Sequence, residues 1–178
     1  MTGQEYIQLK AFARVDGLVV AAVMVAAFGS YVLGLQAPGW NLAAMGLTVS
    51  VPFVVGWRVK RYRDHVLDGR ISFMRALGYV VLAVFYAALL FALAQYVYFA
   101  YMDGGYVSEK LTEMMARPEN SEMLRQLGMN QQVDQSLELL RQMRPIDLSL
   151  EALTSLLLIS PLMGLPLAAI LQRGKGNN

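Results

Sequence analysis

After Arg75 the chain runs for more than twenty residues without a charged side chain, then closes in Tyr96, Tyr98, Phe99 and Tyr101. Such a segment reads as a helix that crosses a lipid bilayer, with aromatic rings at one boundary. Positions 77 to 101 hold 25 residues. That is about 36 Å of helix against about 30 Å of hydrocarbon, so the helix must tilt or protrude. Ser72 is placed to cap its start, and Gly69 to turn the chain just before it. Arg75 lies one turn in, where its stem can follow apolar surface while the guanidinium reaches the headgroups. Gln95 is the one side-chain amide of the span, and an amide in hydrocarbon seeks a partner on another helix.

Three more runs have the length of a span. Residues 17–35 carry no charge, are longer than the apolar part of a secretory signal, and have no small-x-small cleavage pattern after them, so they are read as retained. Gln36, Ala37, Pro38 and Gly39 then form a turn short enough to send the next helix back antiparallel. Residues 40–57 are framed by Trp40 and Trp57, about 26 Å apart along a helix and thus near the two interfacial belts. Pro52 predicts a kink there. Residues 152–171 contain Pro161 and Pro166, each of which removes a backbone donor. The carbonyls this frees need company in lipid, and Ser160 or a neighbouring helix can supply it.

With 56% hydrophobic residues in 178, the expectation is an all-α polytopic membrane protein. It is one domain over 1–178, with spans at about 17–35, 40–57, 72–101 and 152–171. The polar stretch 102–147 breaks at Asp103, Gly104 and Gly105, and Ser108 is expected to cap a short helix there. Two further short helices follow. Their apolar positions recur at threes and fours, which predicts an amphipathic helical hairpin docked near the membrane.

Threading follows from the basic residues. Lys10, Arg14, Arg58, Lys60, Arg61, Arg63, Arg70, Arg75, Arg173 and Lys175 fall on one side, and Lys110, Arg117, Arg125, Arg141 and Arg144 on the other. The excess places both termini in the cytoplasm and the 102–147 region outside it.

Little in the chain points to chemistry. There is no cysteine and one histidine, His65, which sits in a charged juxtamembrane stretch and is expected to meet water or headgroups. No catalytic residue, cofactor or metal ligand set is expected. Asp16 and Glu151 stand at span boundaries, where acids face water; Asp16 and Arg75 share a side and are placed to pair. The six basic residues Arg58, Lys60, Arg61, Arg63, Arg70 and Arg75 either fix orientation or contact anionic lipid or a protein partner. Nucleic acid is not an expected partner, because the cluster is confined to the membrane edge. Small residues at fourfold spacing (Ala22, Ala26 and Ser30; Gly46 and Ser50; Ala83 and Ala87; Ala88 and Ala92) mark candidate helix contacts.

The junction from Asp68 to Tyr79, the helix exit from Gln95 to Asp103, and Leu127-Gly128-Met129-Asn130 before a glutamine-rich helix resemble a bacterial family of four-span membrane proteins catalogued as a domain of unknown function. The resemblance covers nearly the whole chain and brings no catalytic residues. It implies a bacterial cytoplasmic (inner) membrane, and a protein partner of the polyprenyl-phosphate glycosyltransferase type. The leading expectation is therefore a non-enzymatic membrane subunit. The rival is a small dimeric transporter or lipid flippase, using the twice-broken last span and a polar cavity lined by Gln95 and Ser160.

Overall fold

The computed structural model describes residues 3–173. Among the described residues, seven helices follow in order: α1 (Gly3–Gly34), α2 (Trp40–Val66), α3 (Phe73–Tyr101), α4 (Tyr106–Ala116), α5 (Pro118–Gln126), α6 (Asn130–Gln142) and α7 (Pro145–Leu171). Four of them, α1, α2, α3 and α7, are long and apolar enough to cross a membrane. The fold is all-α and has the four spans that the hydropathy pattern predicts. The expected basic tail beyond Arg173, Lys175 included, lies outside the described residues.

The long helices outrun their apolar segments. α1 starts at Gly3 instead of near Gly17, α2 continues past Trp57 to Val66, and α7 starts at Pro145 instead of Ala152. Once a lipid-embedded segment is helical, adding turns needs no new nucleus. Pro145 suits the first turn of α7, where it gives up no helical hydrogen bond. The basic stretch after Trp57 is therefore mostly helix. The true turn is 67–72, with Asp68 at φ 50° and Gly69 at φ 76°. Ser72 caps α3 as expected, accepting from the Arg75 amide at 3.4 Å.

α3 is the centre of the bundle, packed on α1 along one side and α7 along another; α1 also packs on α2, while α2 and α7 barely meet. Apolar association gains little between helices already in lipid, so close backbone approach decides which faces pair. Ala76, Ala83 and Ala87 are buried on α3. A Cβ added to Gly17 would lie 2.7 Å from Tyr86 Cβ and 2.8 Å from the Ala83 carbonyl oxygen. On α1 the contact stripe is Ala13, Gly17 and Ala21, all buried; Ala22, Ala26 and Gly46, expected at contacts, are exposed. The fourfold pattern recurs in two registers on α1, and only Gly17 lets α3 come this near.

The start of α4 also differs from expectation. Gly105, at φ 88°, precedes it, and the Asp103 carboxylate accepts the amides of Gly105 at 3.0 Å and Val107 at 3.1 Å. A carboxylate at this spot takes the role assigned to Ser108, whose hydroxyl donates to the Gly105 carbonyl at 2.8 Å. α4, α5 and α6 touch one another pairwise, and Arg141 of α6 donates to Thr112 of α4 at 3.0 Å. Three short helices in mutual contact thus fill the region where a hairpin was expected.

Candidate functional site: a buried carboxylate beneath a basic rim

The short turn after α1 makes α1 and α2 an antiparallel pair, so residues equidistant from Ala37 come level. Asp16 and Arg58 are such a pair, and so are Phe12 and Tyr62. Arg58 donates through Nε, at 2.6 Å, and through Nη2 to Asp16 Oδ1. Tyr79 of α3 donates its hydroxyl to Oδ2. Asp16 is 5% exposed. Removing a carboxylate from water is expensive, and what offsets the cost here is a guanidinium and a phenol on separate helices.

The polar system continues toward the end of the bundle. Tyr79 stacks on Tyr62 with ring centroids 4.5 Å apart, and Phe12 closes on Tyr62 at 5.4 Å. The Tyr62 hydroxyl accepts from Arg75 Nη2 at 3.4 Å, and Arg75 Nη1 pairs with Glu5 at 3.3 Å. Two expectations are overturned here. Asp16 does not face water, and its partner is Arg58, not Arg75. The reason is the extra length of α1: starting at Gly3, it sets Glu5 opposite Arg75 and leaves Asp16 more than three turns inside.

The six basic residues divide into distinct roles. Arg63 is buried, pairs with Asp64 at 2.6 Å and donates through Nη1 to the Leu171 carbonyl at 3.0 Å. It thereby satisfies one of the carbonyls left open at the end of α7. That end is also fastened by an antiparallel backbone pair, Ile71 N to Arg173 O at 3.2 Å and Arg173 N to Ile71 O at 2.9 Å. Arg58 and Arg75 belong to the buried network. Lys60, Arg61 and Arg70 are exposed, with no ion pair among the described residues. Arg61 and His65 rim a pocket of about 490 Å³ between α1 and α2, walled by Phe12, Val15, Tyr62 and Val66 and floored by Asp16 and Arg58. His65 Nδ1 lies 3.1 Å from the Arg61 carbonyl.

Gln95 and Ser160 are not brought to one cavity. Gln95 Oε1 is buried with no hydrogen-bond partner among the described residues. Ser160 is buried and donates to the Leu157 carbonyl at 2.9 Å, the very oxygen that Pro161 deprives of its helical donor. A second cavity, of about 790 Å³, lies among α1, α2, α3 and α7 where α2 and α7 diverge. Met24, Phe28, Val49, Pro52, Phe91 and Met163 line it, with Ser160, Thr48 and Asn41 as polar members.

The buried Asp16 centre escaped sequence reading because an acid at a span boundary ordinarily marks the water line. The available signal was its distance from the turn, which equals that of Arg58. No curated protein and no solved structure matches the chain. Residues 16–173, from that buried carboxylate to the strap at Arg173, match the family described as "Protein of unknown function (DUF4199)". The chain, with its four long apolar helices, belongs to that family of proteins of unknown function.

Proposed function

We propose that the protein is a non-enzymatic membrane subunit that engages a partner protein through the α4–α6 cluster. One observation carries this reading. α5 and α6 are amphipathic but bury no residue, leaving Met123, Leu127 and Leu139 59%, 63% and 63% exposed. Apolar side chains left this exposed on short polar helices outside the spans support a surface that something else covers. The basic excess at the opposite end supports termini in the cytoplasm and α4–α6 on the outer face of a bacterial cytoplasmic membrane. A polyprenyl-phosphate glycosyltransferase is the partner class to try first, on the strength of the family resemblance.

The rival, a small dimeric transporter or lipid flippase, draws on the cavity between α2 and α7 and on the broken α7. That cavity is overwhelmingly apolar, and Gln95 does not line it. Such walls suit a hydrocarbon chain, not a hydrated solute, so within the rival reading the lipid version is the better supported.

The test joins topology to association. Reporters fused at Asn178 and inserted near Gly128 should give opposite sides, with Asn178 cytoplasmic. Leu127→Glu with Leu139→Glu should release a co-purifying protein from the native membrane while the chain stays inserted. An external Asn178 overturns the threading, and retention of the same partner by the double variant overturns the contact surface.

A further inference from the structure

We infer that the pocket between α1 and α2 binds the phosphate of an anionic membrane lipid. The inference goes beyond the subunit reading and does not depend on it, since the pocket lies at the opposite end of the bundle from α5 and α6.

The floor of the pocket carries no unmatched negative charge. Asp16 Oδ1 accepts from Arg58 and Oδ2 from Tyr79, so the carboxylate is fully engaged. Above it, Arg61 has no acidic partner among the described residues and keeps its planar fork of donors for another anion. His65 donates Nδ1–H to the Arg61 carbonyl, which leaves Nε2 at the same rim as an acceptor for a headgroup hydroxyl beside the phosphate. A positive rim over a neutralised floor takes a phosphate monoester or diester. Asp64, the nearest other acid on α2, is held by Arg63.

The surroundings select a lipid over a soluble phosphate. Phe12 and Val15 form the apolar wall, and the exposed faces of Leu18, Phe53 and Trp57 carry that wall onward toward the middle of the spans. Trp57 also lies under the Arg58 guanidinium, 5.4 Å from it, at the level of an interfacial belt. A headgroup at Arg61 would place its chains along that face. A free phosphate would leave it unused.

The experiment takes the full chain purified in a zwitterionic detergent and follows its thermal unfolding as phosphatidylglycerol, phosphatidylcholine or inorganic phosphate is added. Phosphatidylglycerol should raise the Tm, and the other two should not. Arg61→Ala should raise the half-saturating lipid concentration about tenfold, His65→Ala by a smaller factor, and Arg70→Ala, at an exposed cation outside the pocket, should leave it unchanged. Equal response to the two lipids, or equal loss from Arg70→Ala and Arg61→Ala, would overturn the site. An equal shift from inorganic phosphate would overturn the lipid as its occupant.

Discussion

Arg58 reaches Asp16 across the α1–α2 interface with its Nε 2.6 Å from Oδ1, and Tyr79 of α3 takes the other oxygen, so one carboxylate ties three helices. Asp16→Ala leaves a half-buried arginine and a buried phenol without their acceptor. The expected loss is about 3–5 kcal/mol, as for other pairs broken from one side. Asp16→Leu with Arg58→Met, which removes both charges, should lose clearly less. Thermal unfolding in detergent reads both. An unchanged Tm for Asp16→Ala would mean that the carboxylate ties nothing.

Ser160 stands in for the donor that Pro161 lacks. Ser160→Ala strands the Leu157 carbonyl and should cost about 1–3 kcal/mol. In a Pro161→Ala background the backbone N–H returns to that carbonyl, and the serine substitution should then cost little. A double-mutant cycle on unfolding free energies measures the difference. Equal costs in the two backgrounds would show that the hydroxyl does not replace the missing amide.

Gly17 and Gly164 both sit where helices touch, but what a new Cβ meets differs. At Gly17 it meets the Ala83 carbonyl oxygen at 2.8 Å and Tyr86 Cβ at 2.7 Å, neither of which can step aside alone. At Gly164 it meets Leu77 Cδ1 at 2.9 Å, the end of a side chain that can change rotamer. Gly17→Ala is therefore expected to cost about 1–3 kcal/mol, and Gly164→Ala less than that. The reverse order, again by thermal unfolding, would contradict the α1–α3 packing.

What the sequence made legible was whatever lipid dictates. The four apolar helices, the Ser72 cap, the glycine turns and the Ser160 answer to Pro161 all follow from local rules about hydrocarbon and unpaired backbone. What it hid were features set by tertiary register. The polar turns that lengthen α1, α2 and α7 have no hydropathy signal, because a helix in water need not be apolar. Arg63 looked like any other juxtamembrane cation, and only the docking of the α7 end beside it gives it a carbonyl to hold. The fourfold small-residue pattern expected on α1 at Ala22, Ala26 and Ser30 misses the stripe at Ala13, Gly17 and Ala21, since the choice of register rests on Gly17 meeting α3.

Outside the spans, Lys110 pairs with Glu113 at 2.5 Å on α4. The hydrogen bond from Lys110, followed by its charge, holds the Glu113 carboxyl below the ordinary carboxylate range. A carboxyl whose folded value is lowered adds stability above its unfolded pKa, and that stability fades as pH falls through the folded value. Glu113 is exposed and Lys110 partly so, and the effect is therefore confined to local order and weakens with salt. Amide protection in α4, taken relative to the intrinsic exchange rate at each pH, should therefore fall on acidification below the ordinary glutamate range, and Glu113→Gln should flatten that fall. A pH response identical in the variant would assign it elsewhere.

The central claim is that the apolar outer faces of α1, α2, α3 and α7 are covered by hydrocarbon, and the absence of cysteine from the chain makes a clean test possible. Phe53 and Leu162 are 72% and 69% exposed in the protein alone, while Glu119 and Arg70 are exposed and polar. Single cysteines at these four positions, in membranes with both faces open to a water-soluble maleimide, should label at Glu119→Cys and Arg70→Cys. Phe53→Cys and Leu162→Cys should stay unlabelled until detergent is added. Labelling of Phe53→Cys and Leu162→Cys in intact membranes, as fast as at Glu119→Cys, would contradict the membrane-spanning bundle.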